Sequence, residues 1–177
     1  MLGAPYVEHI HDELLSVFWP SSEKIAAQGL RDRALLESAV ARPFHSAFGQ
    51  DAYPSILEKG IALFHSLIAN HPFADGNKRT AVTAFDHFLL ANGFVLGVPN
   101  SDMYALATQT ASYRARNLSH EGSLEVIAST VKDLITPIST FRREVEGIPA
   151  LQDSVKATMR LRTWIRRHRF NRLIEIS

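Results

Sequence analysis

Along the first three quarters of the chain, apolar residues recur at spacings of three and four, the period of helices that each bury one face. Val7, Ile10, Leu14 and Phe18 form the first such stripe, and 19-WPSS-22 ends it. Asp32 is a good N-cap for a second helix through 34-ALLESAVA-41, which stops before Pro43 because a proline drives the residue ahead of it out of helical backbone. An irregular loop, 43–54, follows. Pro54 suits the first turn of a third helix whose Leu57, Ile61, Phe64 and Ile68 share one face, and whose C-terminal end points at His71.

A fourth helix is expected over 78-KRTAVTAFDHFLLAN-92, with Gly93 as its left-handed C-terminal cap. Val82, Phe85, Phe88, Leu89 and Leu90 spread over a wide stripe, which predicts a central, mostly buried helix. Asn100 or Ser101 can cap a helix through Ala115, and Ser123 can cap one through Ile135 that Pro137 ends. Only 94-FVLGV-98 reads as strand. The expected architecture is an all-α domain over residues 1–137. Beyond it, 138–150 reads as a linker, and a basic segment follows from about Leu151 to Arg172, its apolar content limited to Val155, Met159, Trp164 and Ile165. Such a segment is either a helix lying on the domain or one ordered only by a partner.

Composition narrows the chemistry. With 46% hydrophobic and 21% charged residues the chain is of ordinary globular make-up. The absence of cysteine excludes a disulfide framework, a thiolate metal site and a cysteine nucleophile, and is compatible with a reducing cytoplasm. No apolar run has the length of a membrane span, and the first twenty residues lack the basic start and apolar core of a signal peptide. The net charge of +1 hides a division: residues 138–177 hold 9 of the 19 Lys and Arg but only 4 of the 18 Asp and Glu. That tail offers a surface for an acidic partner. As a nucleic-acid signature it is weak, with only Trp164 and Phe170 among the arginines.

The densest chemistry lies at the bend 71-HPFADGNKRTA-81, between the third and fourth helices. The first N–H groups of a helix have no intrahelical acceptor and carry the positive end of its dipole, so 74-ADGN-77 is placed to surround an anion, with Gly76 allowing close backbone approach. Lys78 and Arg79 oppose the usual acidic preference of a first turn and gain a rationale if that anion is phosphate. Asp75 is a hard oxygen ligand suited to one edge of a Mg²⁺ ion. His71 titrates near neutrality and can take a proton from an attacking hydroxyl. Taken singly, these residues also read as a helix-end histidine, turn formers and a solvated face. Together they describe transfer of a nucleotide's phosphorus group to a hydroxyl.

Outside the bend, His9, His11 and Asp12 cluster on the first helix, where residues two apart do not share a face, which favours a structural role over a metal site. The loop from Phe44 to Tyr53 is either a flap that docks a target or a connector. Arg114 and Arg116 lie at a helix end, as phosphate contacts or as partners of the helix dipole.

The order His71, Phe73, Asp75, Gly76, Asn77, Arg79 resembles the signature His-x-Phe-x-Asp/Glu-Gly-Asn-x-Arg of the Fic/Doc superfamily. Fic members carry glycine after the asparagine and a second arginine three residues past the first; Lys78 and Val82 stand at those positions, and 77-NKRTA-81 is similar to the death-on-curing (Doc) form. The stretches 8-EHIHDELL-15, 29-GLRDRALLESAVARP-43 and 53-YPSILEKGIALFHSLIANHPF-73 extend the likeness. The resemblance implies an all-α Fic fold. It also implies a toxin of a type II toxin–antitoxin pair that moves the γ-phosphate of ATP, with Mg²⁺, to a threonine of elongation factor Tu. A cognate antitoxin would be its partner and the cytoplasm its place. By the same resemblance His71 is the base, Asp75 the Mg²⁺ ligand, and Gly76, Asn77, Lys78 and Arg79 the nucleotide-phosphate site. AMP transfer of the Fic kind, and a catalytically idle binding module, are the other readings.

Overall fold

The computed structural model describes residues 2–18, 29–146 and 148–170. The expected helix stop at 19-WPSS-22 and the end of the basic segment at Arg172 lie outside them. Within them the molecule is mostly α-helical, as expected: eight helices, α1 (Ala4–Phe18), α2 (Arg33–Ala41), α3 (Ile56–Asn70), α4 (Asn77–Ala91), α5 (Asn100–Ala111), α6 (His120–Val131), α7 (Ile138–Val145) and α8 (Gln152–Phe170). Strands β1 (Ser46–Ala47) and β2 (Gln50–Asp51) pair antiparallel, as do β3 (Phe94–Leu96) and β4 (Ile135–Pro137).

Helix α4 is the axis of the fold, packed against α3, α1, α5, α8 and β3. Its buried set includes Ala81, Val82, Ala84, Phe85 and every residue from Phe88 to Ala91, which is why its stripe reads as wide in sequence. Phe64 of α3 and Phe85 of α4 meet with ring centroids 5.7 Å apart, and Gly60 lets the two helices approach: a Cβ there would lie 2.9 Å from Phe85 Cε2. Caps follow the local chemistry. Asp32 accepts from Leu35 N at the start of α2, and Ser55, after Pro54, forms a reciprocal capping box with Glu58 at the start of α3.

Three expectations change. The fifth helix ends at Ala111, before the turns that lead to the left-handed Asn117, and Pro99 holds its N-cap position in place of Asn100 or Ser101. The sixth starts one turn earlier than Ser123, where the Ser119 hydroxyl accepts from Gly122 N, and ends at Val131. Residues beyond it pass through a 3₁₀ turn, Lys132–Leu134, into β4, because Ile135–Pro137 find their backbone partners in β3 with Val95 opposite Thr136. Residues 138–150, read as a linker, begin instead with α7, whose Ile138 and Val145 are buried.

The basic segment is helix α8, lying on the rest of the fold. Ile165 is fully buried, Arg162 Nε donates to Leu90 O at 3.1 Å, and the Trp164 ring sits against Tyr6 and His9 of α1. Its arginine-rich face, with Arg160, Arg166 and Arg167, is exposed.

Candidate active site

The loop between α3 and α4 is held in shape by two left-handed residues. His71 (φ 53°) caps α3, and Gly76 (φ 74°) sits at the N-cap of α4 with no side chain to cover the first-turn N–H groups. The first intrahelical bond is Thr80 N to Gly76 O, so the N–H groups of Asn77, Lys78 and Arg79 have no acceptor within the helix. They line a shallow pocket with His71, Asp75, Gly76 and Tyr104. All six expected site residues therefore come together, joined by Tyr104 of α5. The Arg79 guanidinium lies 5.8 Å from the centroid of the Tyr104 ring.

Asn77 has an inward task as well. The residue is 4% exposed. Oδ1 accepts from Phe73 N at 2.9 Å, Nδ2 donates to Phe73 O at 2.8 Å, and the same Nδ2 lies 3.2 Å from His71 Nδ1 and 3.4 Å from Nε2. The amide thus clamps the loop's buried anchor and rests against the histidine ring, while Asn77 offers the pocket its backbone. Asp75 Oδ1 accepts from Gly76 N at 2.6 Å, which fixes the carboxylate at the rim of the anion nest. Loss of hydration on the face turned to the loop, then the charges of Arg31 and Lys78, hold the His71 pKa below the usual histidine value against the pull of Asp75. That direction favours the neutral ring, whose lone pair can accept a proton.

Two supports of this loop were not assigned from sequence. Residues 29–32 run alongside it: Arg31 N and Asp32 N donate to Pro72 O at 2.8 and 3.1 Å, Ala74 N donates to Gly29 O at 3.1 Å, and Leu30 bridges Phe73. A single bridge has no periodicity, so no sequence pattern marks it. From beneath, His11 of α1 stacks on Phe73. That had a legible signal: Val7, Ile10, His11 and Leu14 occupy one helical stripe, which puts His11 on the buried face. His9 faces Trp164, and Asp12 is exposed.

Other expected features lie apart from the pocket. Arg114 Nε donates to Tyr113 Oη at 2.9 Å, with its guanidinium over that same ring, beyond α5. The 43–54 loop is a 3₁₀ turn, Arg42–Phe44, followed by the β1–β2 hairpin. Phe48 at its tip is fully exposed, and Lys59 ties the hairpin's base to α3 through Asp51 Oδ2 at 2.6 Å and Tyr53 O at 2.5 Å. Next to the anion pocket, and sharing Arg79 and Tyr104 with it, lies a second pocket lined by Leu14, Val82, Thr83, Asn100 and Ser101.

Residues 2–89 match the family model described as "Fic/DOC family", a span that contains the loop, both of its supports and nearly all of α4. Through those residues the chain belongs to the Fic/DOC family. It is similar to "Toxin Doc" of Mycolicibacterium smegmatis (strain ATCC 700084 / mc(2)155), with 51% identity over 67 residues, 38% of this chain and 52% of the relative. The chain spans about half the length of that curated relative. No solved structure matches it. Tyr104, α7 and α8 fall beyond the Fic/DOC match.

Proposed function

We propose that this chain is a Doc-type toxin that transfers the γ-phosphoryl group of ATP to a protein hydroxyl, with a threonine of elongation factor Tu as the target in the cytoplasm and a cognate type II antitoxin as the partner that restrains it. The observation that carries the reading is His71 lodged against Asn77 beside an uncovered helix N-terminus, inside the span that matches the Fic/DOC family model. In the reaction the hydroxyl oxygen forms a bond to the γ-phosphorus, the bond from that phosphorus to the β,γ-bridging oxygen breaks, ADP departs, and the hydroxyl proton passes to His71.

Phosphate oxygens are bound by the backbone N–H groups of Asn77 to Arg79, which Gly76 leaves uncovered, and by the cations of Lys78 and Arg79. Asp75 suits a Mg²⁺ ion that takes one protein carboxylate and fills its other positions with phosphate and water, since one oxygen is fixed by Gly76 N–H and the residue is exposed. When bound, the ion neutralises charge on the transferring group. The adjoining pocket at Leu14, Val82 and Tyr104 suits a nucleoside, and the hairpin with Phe48 at its tip suits the docking of a target chain.

Lys78 and Val82 favour γ-phosphoryl over AMP transfer: a cation stands where Fic members have glycine, and the position of their second arginine is apolar and faces the nucleoside pocket. Parallel incubation of the protein and elongation factor Tu with γ-labelled and α-labelled ATP tests the choice. Label transferred from the γ position, and lost with His71→Ala together with growth arrest on expression, is the expected result. Label retained only from the α position overturns the kinase reading in favour of adenylylation. No transfer from either, with arrest unchanged in the His71→Ala variant, leaves a binding module.

A further inference from the structure

We infer that His11 is a positioning residue of this site: from α1 it sets the level of Phe73 and backs Gly76, and so orients both His71 and the phosphate nest. The inference rests on reading the loop as a phosphoryl-transfer site. The histidine is 1% exposed, and its ring lies flat on Phe73 with centroids 3.9 Å apart and planes 11° from parallel. Nδ1 is 3.1 Å from Oγ1 of Thr80, itself fully buried in the first turn of α4. A Cβ on Gly76 would lie 3.0 Å from His11 Cε1 and 3.3 Å from Nδ1. One ring therefore touches the loop's anchor, its left-handed glycine and the helix that supplies the nest.

The effect reaches His71 through a short path. Phe73 is held from beneath by His11 and along its backbone by both ends of the Asn77 amide, and that amide rests against the His71 ring. Space filling alone does not account for an imidazole here. Its Nε2 is buried with no hydrogen-bond partner among the described residues, a desolvation cost that a hydrocarbon side chain avoids. A phenyl ring stacks on Phe73 as well; only the imidazole also bonds to Thr80. Burial holds the His11 pKa low against Asp12, Asp75 and Glu8, so the ring stacks as a neutral group.

The two contacts have separable consequences. The stack governs Phe73, Asn77 and hence the base; the Thr80 bond governs the first turn of α4 and hence nucleotide affinity. His11→Asn, which keeps a polar partner near Thr80 and removes the ring, is expected to lower kcat per folded molecule tenfold or more with KM for ATP within twofold. His11→Phe, which keeps the ring and removes the bond, is expected to raise KM for ATP several-fold with kcat within twofold. Thr80→Val should copy His11→Phe, and Thr80→Ser should restore the wild-type KM. The side-chain amide signal of Asn77 in the NMR spectrum, which needs no turnover, should move in His11→Asn and stay in His11→Phe. Equal losses in both His11 variants that track the folded fraction, or an unmoved Asn77 signal in both, overturn the inference. Should His11→Asn not fold, the His11→Phe and Thr80 variants decide it, and equal KM values from Thr80→Val and Thr80→Ser overturn it. Wild-type protein that transfers no phosphoryl group defeats the functional reading, and the Asn77 signal then still judges the role of His11.

Discussion

Gly76 is the residue on which the loop's geometry turns, for two reasons that can be measured apart. Its φ of 74° is a conformation that costs an L side chain about 1–2 kcal/mol, and a Cβ would also press on the His11 ring. Gly93 has the same kind of backbone, with φ 96°, but a Cβ there meets only Arg162 Nη2 at an ordinary 3.8 Å. Gly93→Ala is thus expected to show the backbone cost alone, about 1 kcal/mol in urea denaturation. Gly76→Ala should exceed it and abolish transfer, because the α4 N–H groups and the Asn77 clamp shift together. Equal destabilisation by the two substitutions would show that the His11 contact yields without cost. A larger loss at Gly76 means that the signature's glycine is demanded twice, by backbone conformation and by a side chain from α1.

At the scale of elements, α3 is the rod that delivers His71, and its far end is fixed by local chemistry. Ser55 Oγ accepts from Glu58 N at 3.1 Å, while the Glu58 carboxylate accepts from Ser55 N at 2.8 Å and is held below its usual pKa by the Ser55 hydroxyl first and by that N–H second. Ser55→Ala is expected to cost about 1 kcal/mol of stability by thermal or urea unfolding, with kcat unchanged because the loss lies at the opposite end of the helix from His71. A fall in kcat per folded molecule would instead mean that fraying there reaches the site. Helix existence and the bend were legible in sequence because both follow from local rules: stripe spacing, a proline or a cap, and a dense polar run between two stripes. The misplaced features share a different cause. β4 forms because β3 lies beside it, and the 29–32 brace exists because Pro72 and Ala74 present backbone groups to it; neither partner is near in sequence. Ser123 reads as a cap, yet Ser119 holds that role: its hydroxyl accepts from Gly122 N, and Ser123 is buried inside the helix one turn on. Tyr104 joined the site for the same non-local reason, through the packing of α5 on α4.

Several histidines of the described residues are buried or half-buried, and their balance sets how the fold responds to acid. Burial lowers His87 to about 4, and burial followed by the charges of His120, Arg42 and Arg114 lowers His65 to about 4. Such groups bind fewer protons folded than unfolded between about pH 4 and the unfolded value of 6.5, so their contribution is full above 6.5 and is lost as pH falls toward 4. Each amounts to about 3 kcal/mol at most by linkage. Asp86 works in the opposite direction: burial raises its carboxyl to about 6, so the folded state binds the extra proton and acidification through that range relieves a penalty. Two histidines against one aspartate leave a net loss, and His11, His71 and His120, all held below their usual value, add to it. Urea unfolding is therefore expected to show stability falling by about 3 kcal/mol from pH 7 to pH 4.5. His65, whose Nε2 is buried without a partner among the described residues and whose ring meets Tyr113 and His120 edge-on, is the place to test the cause. His65→Leu should keep the stability near its wild-type value at pH 7 while reducing the loss by pH 4.5 by about 1–2 kcal/mol. A profile that is flat across this range, or one whose slope His65→Leu leaves intact, would place the acid sensitivity elsewhere than in the buried imidazoles.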